Sequence, residues 1–162
     1  MTTTSAQADG ESRLARPAPT WVVWVTPALA LLGLALSSYL TATHFDPQAL
    51  YCQKGFFNCQ AVTTSWESHP FGIPVVFLGL AQFVAMTALC SPWAWRTQRR
   101  EVHVARLVLA TAGMVFVLWL LLAELVLIKD ICEYCTGVHL VTFALFVCTI
   151  STVPTMLGWT DR

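Results

Sequence analysis

The chain contains four long apolar runs that are separated by polar stretches. The first run has 23 residues, and at about 1.5 Å per residue it is long enough to cross a bilayer core with some tilt. We predict one helix over each run: Trp21–Thr43, Gly72 or Ile73 to Cys90, Val102–Ile128 and Ile131–Leu157. The pattern therefore predicts an all-α membrane protein built as a bundle of four transmembrane helices.

Two polar segments lie outside these helices. Residues 1–20 are mostly small and polar and contain two prolines, which is typical of a disordered tail, so we assign the transmembrane domain to residues 21–162. A signal peptide is a poor interpretation of the first run, which is too long and lacks a clear cleavage site. Between helices 1 and 2 lies a long loop whose aromatic residues argue against disorder, and we predict a short amphipathic half-helix near Asn58–Trp66.

Composition agrees with a membrane location. Of the 162 residues, 56% are hydrophobic and only 11% are charged, and the mean hydropathy is +0.63. An ordinary soluble domain has about 25% charged residues. The formal net charge is zero, so composition provides no basic surface for nucleic acid.

The positions of lysine and arginine predict the orientation in the membrane. With four spans both termini share one side, and seven arginines fall on that side, whereas only Lys54 and Lys129 fall on the other. The side that is richer in Lys and Arg is normally cytoplasmic. We therefore expect both termini to be cytoplasmic, with the long loop and the turn before helix 4 outside.

The candidate chemistry lies at this turn, in the sequence Cys132-Glu133-Tyr134-Cys135. If the helix begins near Ile131, the two thiols lie one turn apart on nearly the same face, so their sulfurs can meet. Unpaired amide groups at a helix N-terminus favour the nucleophilic thiolate. The spacing indicates redox chemistry, although a C-x-x-C pair is also half of a zinc site or simply two small buried residues.

Six cysteines divide between the two sides of the membrane. Cys52 and Cys59 in the long loop, with Cys132 and Cys135, fall on the outer side, where disulfides form. Cys90 and Cys148 lie within helices and are interpreted as small hydrophobic residues. Two outer pairs can exchange disulfides, with the mobile loop pair carrying electrons to the helix pair. Because no flavin or haem motif is visible, the simplest acceptor within a bilayer is a quinone.

These features together resemble the vitamin K epoxide reductase family, in its bacterial quinone-coupled branch. The similarity covers about Trp24 to Ser151 and rests on the spaced loop cysteines, on the stretch Val62-Thr63-Thr64-Ser65-Trp66 followed by Phe71-Gly72, and on C-x-x-C opening helix 4. The order of the cysteines is its most specific feature. DsbB-like thiol oxidases also use four helices and two pairs, but there the C-x-x-C pair comes first.

The resemblance implies a role for each thiol. Cys135 reduces the quinone, Cys132 exchanges with a loop cysteine, and the loop pair accepts electrons from a thioredoxin-like, DsbA-like protein. Cys59 is chosen as the partner of Cys132, which leaves Cys52 for the outside exchange. Many bacterial members carry a fused thioredoxin-like domain, and none is visible in these residues, so the partner is expected to act in trans. The expected output is disulfide formation in exported proteins.

Further residues are candidates for quinone contact. His139 is one turn beyond Cys135, where it could bond a quinone carbonyl or instead bond a neighbouring backbone group. The family places a polar contact here, often an aromatic hydroxyl, so histidine is a departure. Glu124 could relay protons, orient His139 or extend to the membrane interface. The other candidates, which could equally be packing or interface residues, are Ser65, Trp66, Phe71 and Phe77.

Three alternatives stay open at this point. The four outer cysteines also fit a zinc site, although a mobile aromatic loop suits exchanging thiols better than a closed tetrahedral site. Static disulfides in a non-enzymatic membrane protein are another interpretation. Within the enzyme class, reduction of vitamin K epoxide is the runner-up. The sequence does not distinguish a menaquinone from a ubiquinone.

Overall fold

The fold described here comes from a computed structural model that describes residue 14 and residues 16–46, 72–129 and 131–159. The described residues form helices connected by turns. We number the helices as follows: α1 Thr20–Phe45, α2 Val75–Leu89, α3 Pro92–Arg96, α4 Arg100–Leu122 and α5 Glu133–Met156. A π-helical segment, Ala123–Ile128, continues α4 without a break. The predicted half-helix, Cys52, Cys59, Ser65, Trp66 and Phe71 lie outside the described residues.

Three of the helices are long and apolar enough to cross a membrane, namely Thr20–Phe45, Arg100–Val126 and Glu133–Met156. Helix α2 is apolar but has only 15 residues, fewer than the roughly 20 that span a bilayer core on their own. Large apolar side chains such as Leu31, Val115 and Phe143 are exposed on the outside of the bundle, as lipid-facing residues are. The prediction of an all-helical membrane bundle is confirmed at this level.

The ends of the helices follow from local sequence. Pro19 and Pro74 precede α1 and α2, where the missing N–H of proline costs nothing. The Ser91 hydroxyl accepts a hydrogen bond from the Ala94 N–H (3.2 Å) and caps α3, a short helix that the apolar pattern did not predict. Lys129 ends the π-helical segment in the left-handed conformation, with φ at 60°. The chain then turns into α5.

Helix α1 packs against both α2 and α5, and α4 packs against α5 and α2. Helices α1 and α2 approach closely where Gly33 of α1 meets the buried ring of Phe83 of α2. A Cβ added at Gly33 would overlap the ring of Phe83 at Cε1. The absence of a side chain at Gly33 therefore lets the two helices meet around this ring.

A buried cation joins the other end of α2 to α4. Arg106 is fully buried, and its Nε donates a hydrogen bond to the Leu89 carbonyl at the end of α2 (3.0 Å). Its guanidinium carbon lies 3.5 Å from the ring centroid of Trp95, and Nη1 lies 2.8 Å from His103 Nδ1. Trp95 Nε1 in turn donates to Thr26 Oγ1 of α1 (2.8 Å). One arginine thus ties α2, α3 and α4 together, and α1 joins through Trp95.

Four of the five exposed tryptophans among the described residues lie at this same end of the bundle. The first turns of α1, helix α3 and the segment after α5 carry four exposed tryptophans: Trp21, Trp24, Trp93 and Trp159. The Arg100 guanidinium carbon lies 5.7 Å from the Trp159 ring centroid. Exposed tryptophans beside arginines are typical of a membrane–water interface. Nearby, Leu14 and Ala18 of the predicted tail pack against a buried cluster around Trp95.

Candidate functional site: a dithiol above an apolar cavity

Both cysteines of the C-x-x-C sequence lie at the beginning of α5. The sequence predicted Cys132 in the first helical turn, but it is instead the N-cap residue, with extended backbone (φ −105°, ψ 121°). Its sulfur accepts a hydrogen bond from the Cys135 backbone N–H over 3.4 Å, as a capping serine oxygen would. Both thiols are free, and the side chain of Cys132 is fully buried.

The capping geometry makes the two thiols unequal. A hydrogen bond from the Cys135 side chain holds the pKa of the Cys132 thiol below its usual range, and the backbone N–H groups of Cys135 and Tyr134 act in the same direction. Burial and the nearby Glu124 carboxylate oppose this shift. Cys132 therefore carries more thiolate at neutral pH than an ordinary cysteine, with Cys135 as the hydrogen-bond donor.

Beside Cys135 lies a cavity of about 420 Å³, enclosed by α1, α2, α4 and α5. Its walls are mainly apolar, with residues such as Leu40, Val76, Phe116 and Val138. Polar side chains interrupt this lining at six positions: Ser37, Gln82, Glu124, Cys135, His139 and Thr142. An apolar cavity with a few polar groups is the usual form of a small-molecule site.

His139 and Glu124 flank the thiol end of this cavity. His139 lies one turn beyond Cys135, is 5% exposed, and its Nδ1 has no hydrogen-bond partner among the described residues. Glu124 is 4% exposed at the start of the π-helical segment and interacts electrostatically with both thiols. Its side chain thus lies inside the protein rather than extending to the interface.

Gln82 also lines the cavity with a polar side chain, and it was not predicted as a site residue from the sequence. Its Nε2 donates a hydrogen bond to the Leu109 carbonyl of α4 (3.0 Å). Gly113 of α4 leaves room for it, since a Cβ there would lie 2.6 Å from Gln82 Nε2. The sequence could have marked Gln82 as a candidate, because placing a polar side chain within an apolar helix costs free energy and often serves a function.

The structure brings three of the predicted site residues together at one cavity: Cys135, His139 and Glu124. Phe77 is not among the lining residues. Its ring instead packs near His44 and Phe45, with centroid distances of 5.7 and 6.0 Å. The remaining predictions, at Cys52, Cys59, Ser65, Trp66 and Phe71, concern residues that the structure does not describe.

Within the described part of the chain, no group of three or more His, Cys, Asp or Glu side chains is placed to hold a metal ion. The zinc alternative needs Cys52 and Cys59, so it concerns residues outside that part. Neither Cys90 nor Cys148 lines the cavity, and Cys90 belongs to the apolar core.

Comparison with known proteins agrees with this arrangement. The family model described as the vitamin K epoxide reductase family matches residues 24–150, which is most of the chain. A search of curated proteins finds no match. The matched range includes most of α1, all of α2 to α4, the π-helical segment, the dithiol and most of α5. The chain therefore belongs to the vitamin K epoxide reductase family and is an integral membrane oxidoreductase of this quinone-associated group.

Proposed function

We propose that the protein oxidises the thiols of a thioredoxin-like partner and reduces a membrane quinone. The observation that carries this proposal is the position of Cys135. Its side chain lines an apolar cavity within the helical bundle, while Cys132 lies beside it as a hydrogen-bond acceptor. A dithiol at such a cavity can reach an acceptor dissolved in the bilayer.

The reaction balances over the two thiols and the quinone. Cys132 and Cys135 together lose two electrons and two protons as their S–S bond forms, and the quinone gains both to become a quinol. Cys135 faces the acceptor and delivers the electron pair. Cys132, whose thiolate the capping bonds favour, closes the disulfide.

The cavity suits a quinone head group in size and chemistry. Its volume of about 420 Å³ lies within the range of roughly 300–1,000 Å³ that is common for small-molecule sites. Its apolar wall fits the ring, and His139 and Glu124 offer polar contacts beside Cys135. A quinone oxygen at His139 would also give a buried polar side chain a partner, and an unpaired buried polar group costs about 1–3 kcal/mol.

Electron delivery to this site involves the long loop. We propose that the Cys59 thiolate attacks the Cys132 sulfur of the Cys132–Cys135 disulfide and releases the Cys135 thiolate, and that Cys52 then attacks Cys59 and releases the Cys132 thiolate. The resulting Cys52–Cys59 disulfide is reduced through Cys52 by an extracytoplasmic thioredoxin-like, DsbA-like protein acting in trans. Ser65, Trp66 and Phe71 would then cover the cavity from the loop side. The support is that the Cys132 side chain is fully buried, so an electron donor must approach it from within the protein. The output is disulfide bonds in exported proteins.

The same proposal includes an orientation in the membrane. We place both termini in the cytoplasm, and the dithiol and long loop outside. The exposed tryptophans beside Arg100 and α3 support an interface at the end opposite the dithiol. Helix α2 would be the fourth span, packed against α1 and α4.

The decisive experiment replaces the thiol that faces the cavity. In purified Cys135→Ser, supplied with menadione and a reduced thioredoxin-like protein, we expect quinol formation to fall to the uncatalysed rate. Absorbance of the quinone measures it. Because Cys148 lies in α5 but does not line the cavity, Cys148→Ala should keep the activity of the unmodified protein. Full turnover by Cys135→Ser would refute the proposal, and so would static disulfides that resist mild reductant and ignore quinone.

A further inference from the structure

The amide of Gln82 has a fixed position in the cavity wall. One N–H is held by the Leu109 carbonyl of α4 at 3.0 Å, and the side chain lines the cavity. Among the described residues its side chain makes no other hydrogen bond. An amide has two N–H donors and one accepting oxygen, so Gln82 keeps one donor and its oxygen for another partner.

Gly113 keeps this amide in place. A Cβ at residue 113 would lie 2.6 Å from Gln82 Nε2, closer than real Cβ contacts, and 3.3 Å from its Cδ. The same added Cβ would lie 3.4 Å from Thr142 Cγ2. The Gln82 amide, Gly113 and Thr142 are therefore at one level of the bundle.

That level lies well below the dithiol. Thr142 follows Cys135 by seven residues in α5, which corresponds to about 10 Å along the helix axis. His139 lies between the two levels. The cavity thus has polar groups beside the thiol and a separate hydrogen-bond donor about two turns deeper.

We infer that Gln82 donates a hydrogen bond to the quinone carbonyl that faces away from Cys135. A para-quinone has two oxygen acceptors on opposite sides of one ring, so a ring with one edge near the thiol directs its other carbonyl into the cavity. Reduction increases the negative charge on that oxygen, so the hydrogen bond strengthens as the electrons arrive. This inference rests on the proposed quinone reduction and adds a substrate contact to it.

Gln82→Met tests the contact, because methionine has a similar length and no N–H donor. With menadione as the quinone, we expect its KM to rise about tenfold, the usual consequence of losing one such bond. Disulfide exchange with the thioredoxin-like protein should be unchanged. Thr87→Val is the matched control on α2, since its hydroxyl bonds the Phe83 carbonyl and does not line the cavity. An unchanged KM in Gln82→Met would overturn the inference.

Infrared spectroscopy separates a hydrogen bond from a change of shape. Menadione with an isotope label at either carbonyl is bound to Cys135→Ser, which prevents turnover. Adding Gln82→Met should move one carbonyl band to higher frequency and leave the other in place. Gly113→Ala, which displaces the Gln82 amide, should shift the same carbonyl band. If Gln82→Met fails to fold, Gly113→Ala shows whether the amide bonds the quinone. Two unmoved bands would overturn the inference, whereas bound menadione that is never reduced by the unmodified protein would instead refute the proposed function.

Discussion

Two thiols separated by two residues have different environments at the start of α5. Cys132 caps the helix and accepts hydrogen bonds, whereas Cys135 donates to it and faces the cavity. The division of labour that we propose follows from these positions. The side chain that faces the cavity reduces the acceptor, and the side chain stabilised as a thiolate closes the disulfide.

The acidity of Cys132 provides a prediction for single residues. In a protein whose other cysteines outside this pair are replaced, ultraviolet absorbance of the thiolate reports titration. We expect Cys135→Ala to raise the pKa of Cys132, because it removes the side-chain donor that contributes most to lowering it. Less thiolate will then be present at neutral pH.

Cys135→Ser is the matched control for this titration. The serine hydroxyl can still donate a hydrogen bond to the Cys132 sulfur, so its pKa should stay below that in Cys135→Ala. Equal pKa values in the two variants would contradict the assignment of Cys135 as donor.

Some residues of the site could be predicted from sequence and others could not. Helical spacing alone places Cys135 and His139 on one face, and the structure has both in the cavity wall. Gln82 and Gly113 belong to different helices, so their contact depends on how α2 and α4 pack, which periodicity does not determine. Cys132 caps α5 because this helix begins two residues later than the sequence predicted.

Among the helices, α1 and α2 pack closely where Gly33 meets the ring of Phe83. Gly33→Ala should lower the free energy of unfolding by about 1–3 kcal/mol, because the added methyl group overlaps a fully buried ring. Thermal unfolding in detergent, followed by helical circular dichroism, measures the change. Adding Phe83→Leu to Gly33→Ala should recover part of the loss.

Gly79→Ala is the matched control within the same pair of helices. A Cβ at Gly79 would meet only Ser37 Oγ, at 3.7 Å, which is an ordinary contact. Alanine also favours a helix over glycine by up to about 1 kcal/mol, so stability should stay equal or rise. Equal destabilisation by both substitutions would show that the packing of α1 against the Phe83 ring does not require a glycine at residue 33.

Helix boundaries illustrate what an apolar pattern can predict. The first run was predicted at Trp21–Thr43 and the helix is Thr20–Phe45, since hydrophobic length largely determines a membrane helix. The pattern did not predict α3, because its start depends on one Ser91 hydroxyl. The π-helical segment was also missed, as its apolar residues resemble those of an α-helix.

At the scale of the whole molecule, the bundle has two chemically different ends. Arginines and exposed tryptophans surround one end, and the dithiol and Glu124 lie towards the other. The cavity extends from the dithiol end into the apolar middle. Such polarity suits electron transfer from proteins outside the membrane to a molecule within it.

The orientation can be tested by labelling. In a protein without other reactive cysteines, Lys129→Cys should react with a membrane-impermeant maleimide in intact cells, because Lys129 is exposed beside the dithiol. Trp93→Cys, at an exposed position on α3, should react only after the cells are permeabilised. The reverse pattern would place the dithiol in the cytoplasm and contradict the proposed relay.

The complete burial of Cys132 has a consequence for selectivity in the cell. Small thiols dissolved outside the membrane do not reach this sulfur by diffusion alone to reduce its disulfide, and dissolved oxidants do not reach it to oxidise its thiolate. Under the proposed relay, reducing equivalents pass only when a loop cysteine of the same chain approaches. Burial of one sulfur would thus prevent wasteful side reactions while the quinone pool stays available from the lipid side.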